Sequence, residues 1–216
     1  MVQIRIANIR DFTENKHKTT DDTPFGGGGG MVMMVEPLFK AISSVFENTD
    51  KEKIILLSAQ GEIFSQEKAK ELSKLEHLIL VCGHYKGMDE RINQLFPMEE
   101  VSIGDYVLTG GELPALVILD SVIRLIPNAV GNLDSLVTNS FYEGILGYPQ
   151  YTRPYEFMGL KVPAVLISGN HEKIRLWRKK EALKRTWNRR PDLLEKINLP
   201  EEDKKILEQI KREDVN

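Results

Sequence analysis

The sequence contains a single cysteine, Cys82, among 216 residues. One cysteine cannot form an internal disulfide or supply a cysteine-rich zinc module, so disulfide scaffolds and zinc-finger proteins are excluded. No apolar run approaches the roughly 18 residues of a membrane-spanning helix, and the first residues lack the long apolar stretch of a signal peptide. We therefore expect a cytoplasmic protein that does not associate with membranes.

The chain also has little net charge, −3, but that charge is unevenly distributed. Residues 171–190 contain nine Lys or Arg and two Glu, a net charge of +7. Residues 1–170 carry −7 and residues 191–216 carry −3. A basic segment in an otherwise acidic chain is typical of a nucleic-acid contact, and the alternative is a solvated helix face.

Apolar runs separated by helical segments predict an α/β fold. Hydrophobic residues make up 41% and charged residues 28% of the chain, which is ordinary for a globular protein of one or two domains. A strand–helix–strand order indicates a parallel sheet. The predicted strands are 2–6, 54–57, 78–82 and 101–108, and the predicted helices are 37–46, 66–76 and 115–126.

Turns of small residues follow three of the predicted strands, at 58–61, 83–87 and 109–114. Open α/β sheets bind ligands at the carboxyl ends of their strands, so these turns are a candidate site. The G-x-G-x-x-G fingerprint is absent, which argues against a dinucleotide fold. The alternative is that the glycines only end strands.

Five consecutive glycines, Gly26–Gly30, predict an irregular loop. The loop is either a flexible linker or a place where backbone approaches a ligand closely. It is not a phosphate-binding Walker loop, because Met31 stands where that motif needs lysine.

The carboxyl-terminal part predicts a linker and a helical region. Residues 127–138 are rich in turn formers, and 162–167 is a short apolar run. Asn170 is a candidate N-cap for the basic segment. Pro191 should break that helix before a final charged amphipathic helix.

Five motifs together are more specific than any of these patterns: Asp21–Gly28, Gly104–Pro114, Tyr151–Pro154, Leu166–His171 and Arg189–Pro191. They closely resemble the bacterial tRNA (guanine-N(1))-methyltransferase family, TrmD, of the SPOUT class, in order along essentially the whole chain. The resemblance implies an α/β fold with a SPOUT-type parallel sheet and a deep trefoil knot, a fold rare in proteins, plus a small C-terminal helical domain. It also implies a homodimer.

The implied boundaries are a knotted domain at 1–130, a linker at 131–138 and a helical tRNA-binding domain at 139–216. The implied activity is transfer of a methyl group from S-adenosylmethionine to N1 of guanosine at position 37, in the anticodon stem-loop of tRNA. Mg²⁺ is left open, and the four histidines lack the spacing of a metal site.

The resemblance also assigns residues. The catalytic positions are Arg124 and Asn139. The implied donor-binding residues are Leu57, Ser58, Gly83, Tyr85, Ile103, Gly104, Asp105, Tyr106, Val107, Leu108, Gly110, Gly111 and Pro114. The implied RNA-binding residues are Lys173, Arg178, Lys179, Lys180, Lys184, Arg185, Arg189 and Arg190.

The sequence departs from the family pattern at four places. The family's first strand and helix are absent, Ala59 replaces a proline, Lys86 replaces a glutamate, and Asn139 occupies the position of the catalytic aspartate. An amide cannot accept the proton on guanine N1, and losing a general base costs roughly 10²–10⁴ in rate. Glu143, expected one helical turn further along, is a candidate replacement base.

Three interpretations therefore stay open. The chain is a methyltransferase, or an impaired homologue that binds donor or tRNA without efficient turnover. The third is a nucleotide-binding α/β protein unrelated to RNA, which would not need the basic segment. Without the resemblance, Arg124 would be interpreted as a side chain that extends from an apolar helix to solvent.

Overall fold

The computed structural model describes residues 2–127, 129 and 138–215. The chain divides into two compact units, Met1–Gly131 and Asn132–Asn216. Of the predicted linker at 131–138, only Thr138 lies within the described residues.

The first unit contains five strands and four helices among its described residues. A 3₁₀ turn at Ile9–Phe12 precedes them. The strands are β1 (Asp21–Asp22), β2 (Val32–Met33), β3 (Glu52–Ile63), β4 (His77–Cys82) and β5 (Met98–Ser102). The helices are α1 (Val35–Ser43), α2 (Gln66–Leu72), α3 (Ile92–Leu95) and α4 (Glu112–Ile123).

A parallel sheet of order β4–β3–β5 forms the centre of this unit. Ile54 and Leu56 of β3 pack on one face with residues of α1, whereas Ile55 and Leu57 pack on the other face with residues of α2 and α4. Because both faces are covered, β3 is a continuous apolar run. The predicted mixed α/β fold with a parallel sheet is confirmed.

The strand β3 is longer than predicted because it contains a bulge. Leu57 and Glu62 both pair with Val101 of β5, so residues 58–61 form an insertion in the ladder. The sequence predicted that the strand ends at Leu57. It instead resumes after the bulge and continues to Ile63.

Two further strand predictions were wrong. Residues 2–6 form no strand, and Ile4 and Ile6 are 62% and 89% exposed. An alternating pattern forms a strand only where another strand pairs with it, and the described residues provide none for 2–6. The strand predicted at 101–108 ends at Ser102.

The glycine run connects β1 to β2, which pair antiparallel. Four of its five glycines have positive φ, from +81° to +107°. The run is therefore the loop of a two-stranded ribbon, in a conformation that side chains rarely adopt.

The second unit is mainly helical among its described residues. It contains the short strands β6 (Glu156–Phe157) and β7 (Leu160–Lys161) and a 3₁₀ turn at Ala164–Ile167. Three helices follow: α5 (His171–Arg189), α6 (Pro191–Glu195) and α7 (Glu201–Val215).

The helix α5 has the start and end that the sequence predicted. The Oδ1 of Asn170 accepts the backbone N–H of Lys173 at 3.0 Å, and Pro191 begins the next helix. Ala182 and Leu183 pack against Ile145 and Ile210, so one side of this charged helix is core. We call α5 the basic helix.

Candidate functional site

A cleft of about 310 Å³ lies at the carboxyl ends of the three parallel strands. This volume is at the lower end of the range for small-molecule sites, about 300–1,000 Å³. The cleft is where open parallel sheets bind ligands.

The cleft brings together most residues that the resemblance assigned to donor binding. Asp105 is the exception: it is exposed and does not line the cleft. The assigned residues at the cleft are Leu57, Ser58, Gly83, Tyr85, Ile103, Gly104, Tyr106, Val107, Leu108, Gly110, Gly111 and Pro114.

The β3 bulge supplies one wall of the cleft. Ser58, Ala59 and Gln60 lie in the bulge and line the cleft. Bulged residues leave the ladder, so their backbone groups are not all used by the neighbouring strand. This wall can therefore hydrogen-bond a planar ligand edge through the backbone.

A second wall is a close crossing of two backbones. The N–H of Gly111 donates to the carbonyl of Gly83 at 2.9 Å. A Cβ on Gly111 would lie 2.6 Å from the Cα of Cys82, closer than real Cβ atoms come. Only glycine therefore allows α4 to start against the end of β4.

The turn after β4 is hydrogen-bonded to β2 and to the residue before it. In this turn, the N–H of Lys86 donates to the carbonyl of Met31, and the carbonyl of Gly87 accepts the N–H of Met33. Tyr85 has a φ of +60°, a left-handed conformation that costs a non-glycine residue roughly 1–2 kcal/mol. Such conformations cluster at ligand sites.

The side chain of Lys86 lies along the glycine run. A Cβ on Gly30 would lie 3.1 Å from Cε of Lys86, and one on Gly28 would lie 3.7 Å from its Nζ. The glycine run therefore borders the turn that lines the cleft. The ammonium group of Lys86 lies beside this run.

His84 and Glu112 form a pair at the cleft that sequence reasoning did not assign. The Nε2 of His84 lies 2.5 Å from Oε1 of Glu112. The hydrogen bond from His84 is the main reason that the pKa of Glu112 is below its usual value. Both residues lie in small-residue turns, but sequence spacing gave no signal that they meet.

Cys82 is the last residue of β4, is half-buried and is chemically quiet. Burial, together with the negative charge of Glu112, raises the pKa of its thiol to about 11. The thiolate is the reactive form of cysteine. Cys82 is therefore a structural residue and not a nucleophile.

Arg124 lies at the far end of α4 from the cleft of its own chain. It follows a 12-residue helix whose first residue, Glu112, contacts His84 at the cleft. A rise of about 1.5 Å per residue separates the two by roughly 18 Å. Arg124 is exposed, and no carboxylate in the described part of the chain pairs with it.

Asn139 lies in an exposed bend of the second unit. Its carbonyl accepts the N–H of Tyr142 at 3.4 Å. Residues 138–146 form turns and not a helix, so the expectation that Glu143 lies one helical turn beyond Asn139 was wrong. The carboxylate of Glu143 instead lies 3.6 Å from the ammonium of Lys179.

Ion pairs within the second unit use part of the basic helix. Lys179 pairs with Asp203, Lys180 with Glu213, and Arg190 with Asp192. These three cations were assigned to RNA binding, and in this structure each already has a carboxylate partner. Their charge available to a ligand is correspondingly lower.

Other cations of the basic helix remain open to a ligand. Within the described residues no ion pair involves Lys173, Arg185 or Arg189. Arg178 lies over the ring of Tyr148, 5.0 Å from its centroid, an arrangement that keeps a guanidinium beside an aromatic surface. The hydrogen bond from Lys180 is the main reason that the pKa of Glu213 is lowered, and the charge of Lys184 adds to this effect.

Metal and membrane features are absent from the parts of the chain that the structure describes. Residues 2–127, 129 and 138–215 contain no cluster of three or more His, Cys, Asp or Glu side chains able to hold a metal ion. Among the same residues, no helix combines the length and apolar character needed to span a bilayer.

Comparisons with known proteins point to one family. The model of the family described as tRNA (Guanine-1)-methyltransferase TrmD matches residues 1–196. A tRNA (guanine-N(1)-)-methyltransferase of Dictyoglomus turgidum is 57% identical over 213 residues, covering 99% of this chain and 86% of that protein.

Two further relatives carry the same name. The protein of Moorella thermoacetica is 54% identical, over 98% of this chain and 85% of its own length. That of Bacillus cereus strain AH820 is 54% identical over 97% of this chain and 86% of its own.

Proposed function

The chain belongs to the tRNA (guanine-1)-methyltransferase family, and we propose that it transfers a methyl group from S-adenosylmethionine to N1 of guanosine at position 37 of tRNA. The enzyme class follows from this membership. The observation that supports the proposed donor most strongly is the cleft at the strand ends, lined by twelve of the thirteen assigned residues.

The cleft is suited to the parts of this donor. Backbone of the β3 bulge and apolar side chains such as Leu108 line it, which suits an adenine ring. The carboxylates of Glu90 and Glu100 also line it, which suits a sulfonium and an ammonium group. When bound, the donor supplies an electrophilic methyl group.

Side chains of the protein must then accept one proton and stabilise one developing negative charge. The N1 proton of guanine has to leave as the N–C bond forms, and negative charge grows on the neighbouring oxygen. A guanidinium such as Arg124 can stabilise that charge. Asn139 cannot take the proton, because an amide is not a base at neutral pH.

Arg124 lies far from the cleft of its own chain, so a homodimer is needed to bring it to a cleft. Leu113, Leu116 and Val117 of α4 are 60%, 59% and 46% exposed. An exposed apolar patch on a helix is typical of a protein interface. We propose that a second copy covers it and that Arg124 acts at the other copy's cleft.

The deep knot is also part of the proposal. Its support is the tight crossing at Gly111, where α4 starts against the end of β4. The basic helix is proposed to bind the phosphates of the anticodon stem-loop through cations such as Lys173 and Arg189.

The alternative is an impaired homologue that binds donor or tRNA without efficient turnover. Asn139 in place of a carboxylate favours it. Single-turnover methylation of a guanosine-37 tRNA transcript by the full chain decides between the two. The proposed function predicts N1-methylguanosine at position 37 and none in a transcript with adenosine there. Absence of product with intact donor binding supports the alternative.

A further inference from the structure

The contact between His84 and Glu112 at the cleft depends on a third residue, Gly110. The turn after β4 provides His84, and the first residue of α4 is Glu112. A Cβ on Gly110 would lie 2.6 Å from Cε1 of His84 and would also collide with Oε2 of Glu112. Gly110 therefore has a role besides any contact with the donor: it leaves room for the pair.

Stability alone does not account for this pair. The side chains of His84 and Glu112 are 44% and 59% exposed. An exposed ion pair contributes only about 0–1 kcal/mol to folding. His84 also lines the cleft at the carboxyl ends of the parallel strands, where open α/β sheets bind ligands, so a chemical role is the stronger explanation.

The hydrogen bond decides which imidazole nitrogen is free. A carboxylate accepts a proton from Nε2, so Nδ1 of the neutral ring keeps a lone pair. Among the residues that the structure describes, none forms a hydrogen bond with Nδ1 of His84. His84 therefore combines a fixed orientation, a proton acceptor at Nδ1 and a carboxylate partner on Nε2.

We propose that His84 is the general base of this chain, that Glu112 positions it, and that the pair does the work of the carboxylate that Asn139 lacks. This inference rests on the proposed function. The N1–H bond of guanine breaks with its proton passing to Nδ1 of His84, while the N1 electron pair forms a bond to the donor methyl carbon. The carbon–sulfur bond breaks with its electrons going to sulfur, which becomes a neutral thioether. The imidazolium then loses its proton to water.

Few other charged groups compete with this assignment. Glu90 and Glu100 also line the cleft, but each accepts a hydrogen bond from Nδ2 of Asn93, at 3.1 and 3.5 Å. On the turn itself, the ammonium of Lys86 lies toward the glycine run, and the carboxylate of Asp89 is held by Arg91. The thiol of Cys82 stays protonated. From α4, Glu112 is the group that faces the imidazole, and the sulfur of Met33 in β2 accepts the backbone N–H of His84 at 3.2 Å.

Single-turnover rates of the full chain with the guanosine-37 transcript test the pair. We expect His84→Gln to lower the rate by roughly 10²–10³-fold, a typical loss for a general base, with donor affinity unchanged by calorimetry. His17→Gln, in an exposed loop, is the matched control and should keep the wild-type rate. Imidazole added to the buffer should partly restore His84→Ala, which a merely structural role would not permit.

The positioning role of Glu112 has its own readout. Glu112→Ala removes the acceptor that orients the imidazole and should lower the single-turnover rate with donor affinity unchanged, whereas Glu112→Gln, whose amide oxygen can still accept the Nε2 proton, should keep more of the rate. Equal rates in Glu112→Ala and the wild type overturn the pair. A wild-type rate in His84→Gln overturns the base.

Activity of the wild type separates this inference from the proposed function. If the wild type forms no product but Asn139→Asp does, the function stands and His84 is not the base. If neither forms product, the proposed function fails and the inference fails with it. Product from the wild type together with loss in His84→Gln supports both.

Discussion

The ammonium of Lys179 lies 3.1 Å from the carboxylate of Asp203, whose side chain is only 5% exposed. The next residue, Lys180, makes its pair with Glu213, which is 54% exposed. Two adjacent lysines of the basic helix are therefore used differently, one in the interior of the second unit and one at its surface.

Lys179→Ala should destabilise the protein, because it leaves the buried carboxylate of Asp203 without its cation. We expect the free energy of unfolding to fall by about 1–3 kcal/mol. Lys180→Ala, the matched control, should change it by no more than about 1 kcal/mol. Urea denaturation of both variants measures the difference, and equal losses would contradict it.

Gly83→Ala should weaken donor binding without disturbing the fold. A Cβ there would lie 3.9 Å from the Leu57 carbonyl oxygen and 4.0 Å from Cγ of Met88, ordinary contact distances. The methyl group takes space at the cleft, so we expect a loss of about tenfold, or 1.4 kcal/mol. Gly29→Ala, where nothing lies within 4 Å, is the control in calorimetry. Equal affinities would argue against the cleft as the donor site.

Gly104 and Gly110 are poorer positions for that test. A Cβ on Gly110 meets the His84–Glu112 pair, and one on Gly104, at a φ of +150°, would collide with the ring of Tyr106. A valine at either position would disturb neighbouring protein whether or not a donor binds there.

Removing the cations without ion pairs should lower the salt dependence of tRNA binding. Each phosphate contact contributes about 0.7–0.9 to the slope of log affinity against log salt. Changing Lys173, Arg185 and Arg189 together to Gln should therefore reduce the slope by about 2–3. The same change at Lys16, Lys51 and Lys74, exposed in the first unit, controls for net charge. A slope that drops equally in both sets would show that the basic helix has no special role.

Asn139→Asp should raise the methylation rate by about tenfold or more, since it adds a carboxylate to the proton acceptor proposed at His84. Donor affinity should not change. Asn198→Asp adds the same charge at another exposed position and should have no effect on single-turnover rates. Arg124→Ala should abolish product in either background. If Asn139→Asp leaves the rate as it was, position 139 does not act on the proton.

Acid should weaken the first unit through Glu99. Burial would raise the pKa of Glu99, but hydrogen bonds from Lys53 and Lys68 outweigh it and leave that pKa below its usual 4.5. A depressed pKa stabilises the fold above about pH 4.5, and this contribution is lost as pH falls through the folded-state pKa. Thermal unfolding of Glu99→Gln should therefore depend less on pH below 4.5 than that of the wild type.

The sequence predicted the features that depend on local patterns. The parallel sheet followed from apolar runs such as Ile54–Leu57, and the start of the basic helix followed from Asn170 because a cap acts within one turn. The alternation at 2–6 failed because strand formation depends on a partner that local sequence does not specify.

The site could be predicted only in part for the same reason. The turns at the strand ends were visible as glycines, and their convergence follows from parallel pairing. The bulge at 58–61 depends on how β3 meets β5. The pair of His84 and Glu112 depends on a contact between residues 28 positions apart, which no spacing rule describes.

The parallel sheet also constrains how the chain reaches this structure. Glu52 pairs with His77 and Ile54 with Met98, so β3 finds its two neighbours 25 and 44 residues away. No hairpin can start the central sheet, and each pairing must close a long loop before it gains contacts. Formation of the central sheet should therefore be slow, and until β4 and β5 arrive, Ile54–Leu57 is an apolar segment open to other unfolded chains. Synthesis and refolding at low protein concentration should favour the correct sheet over aggregates.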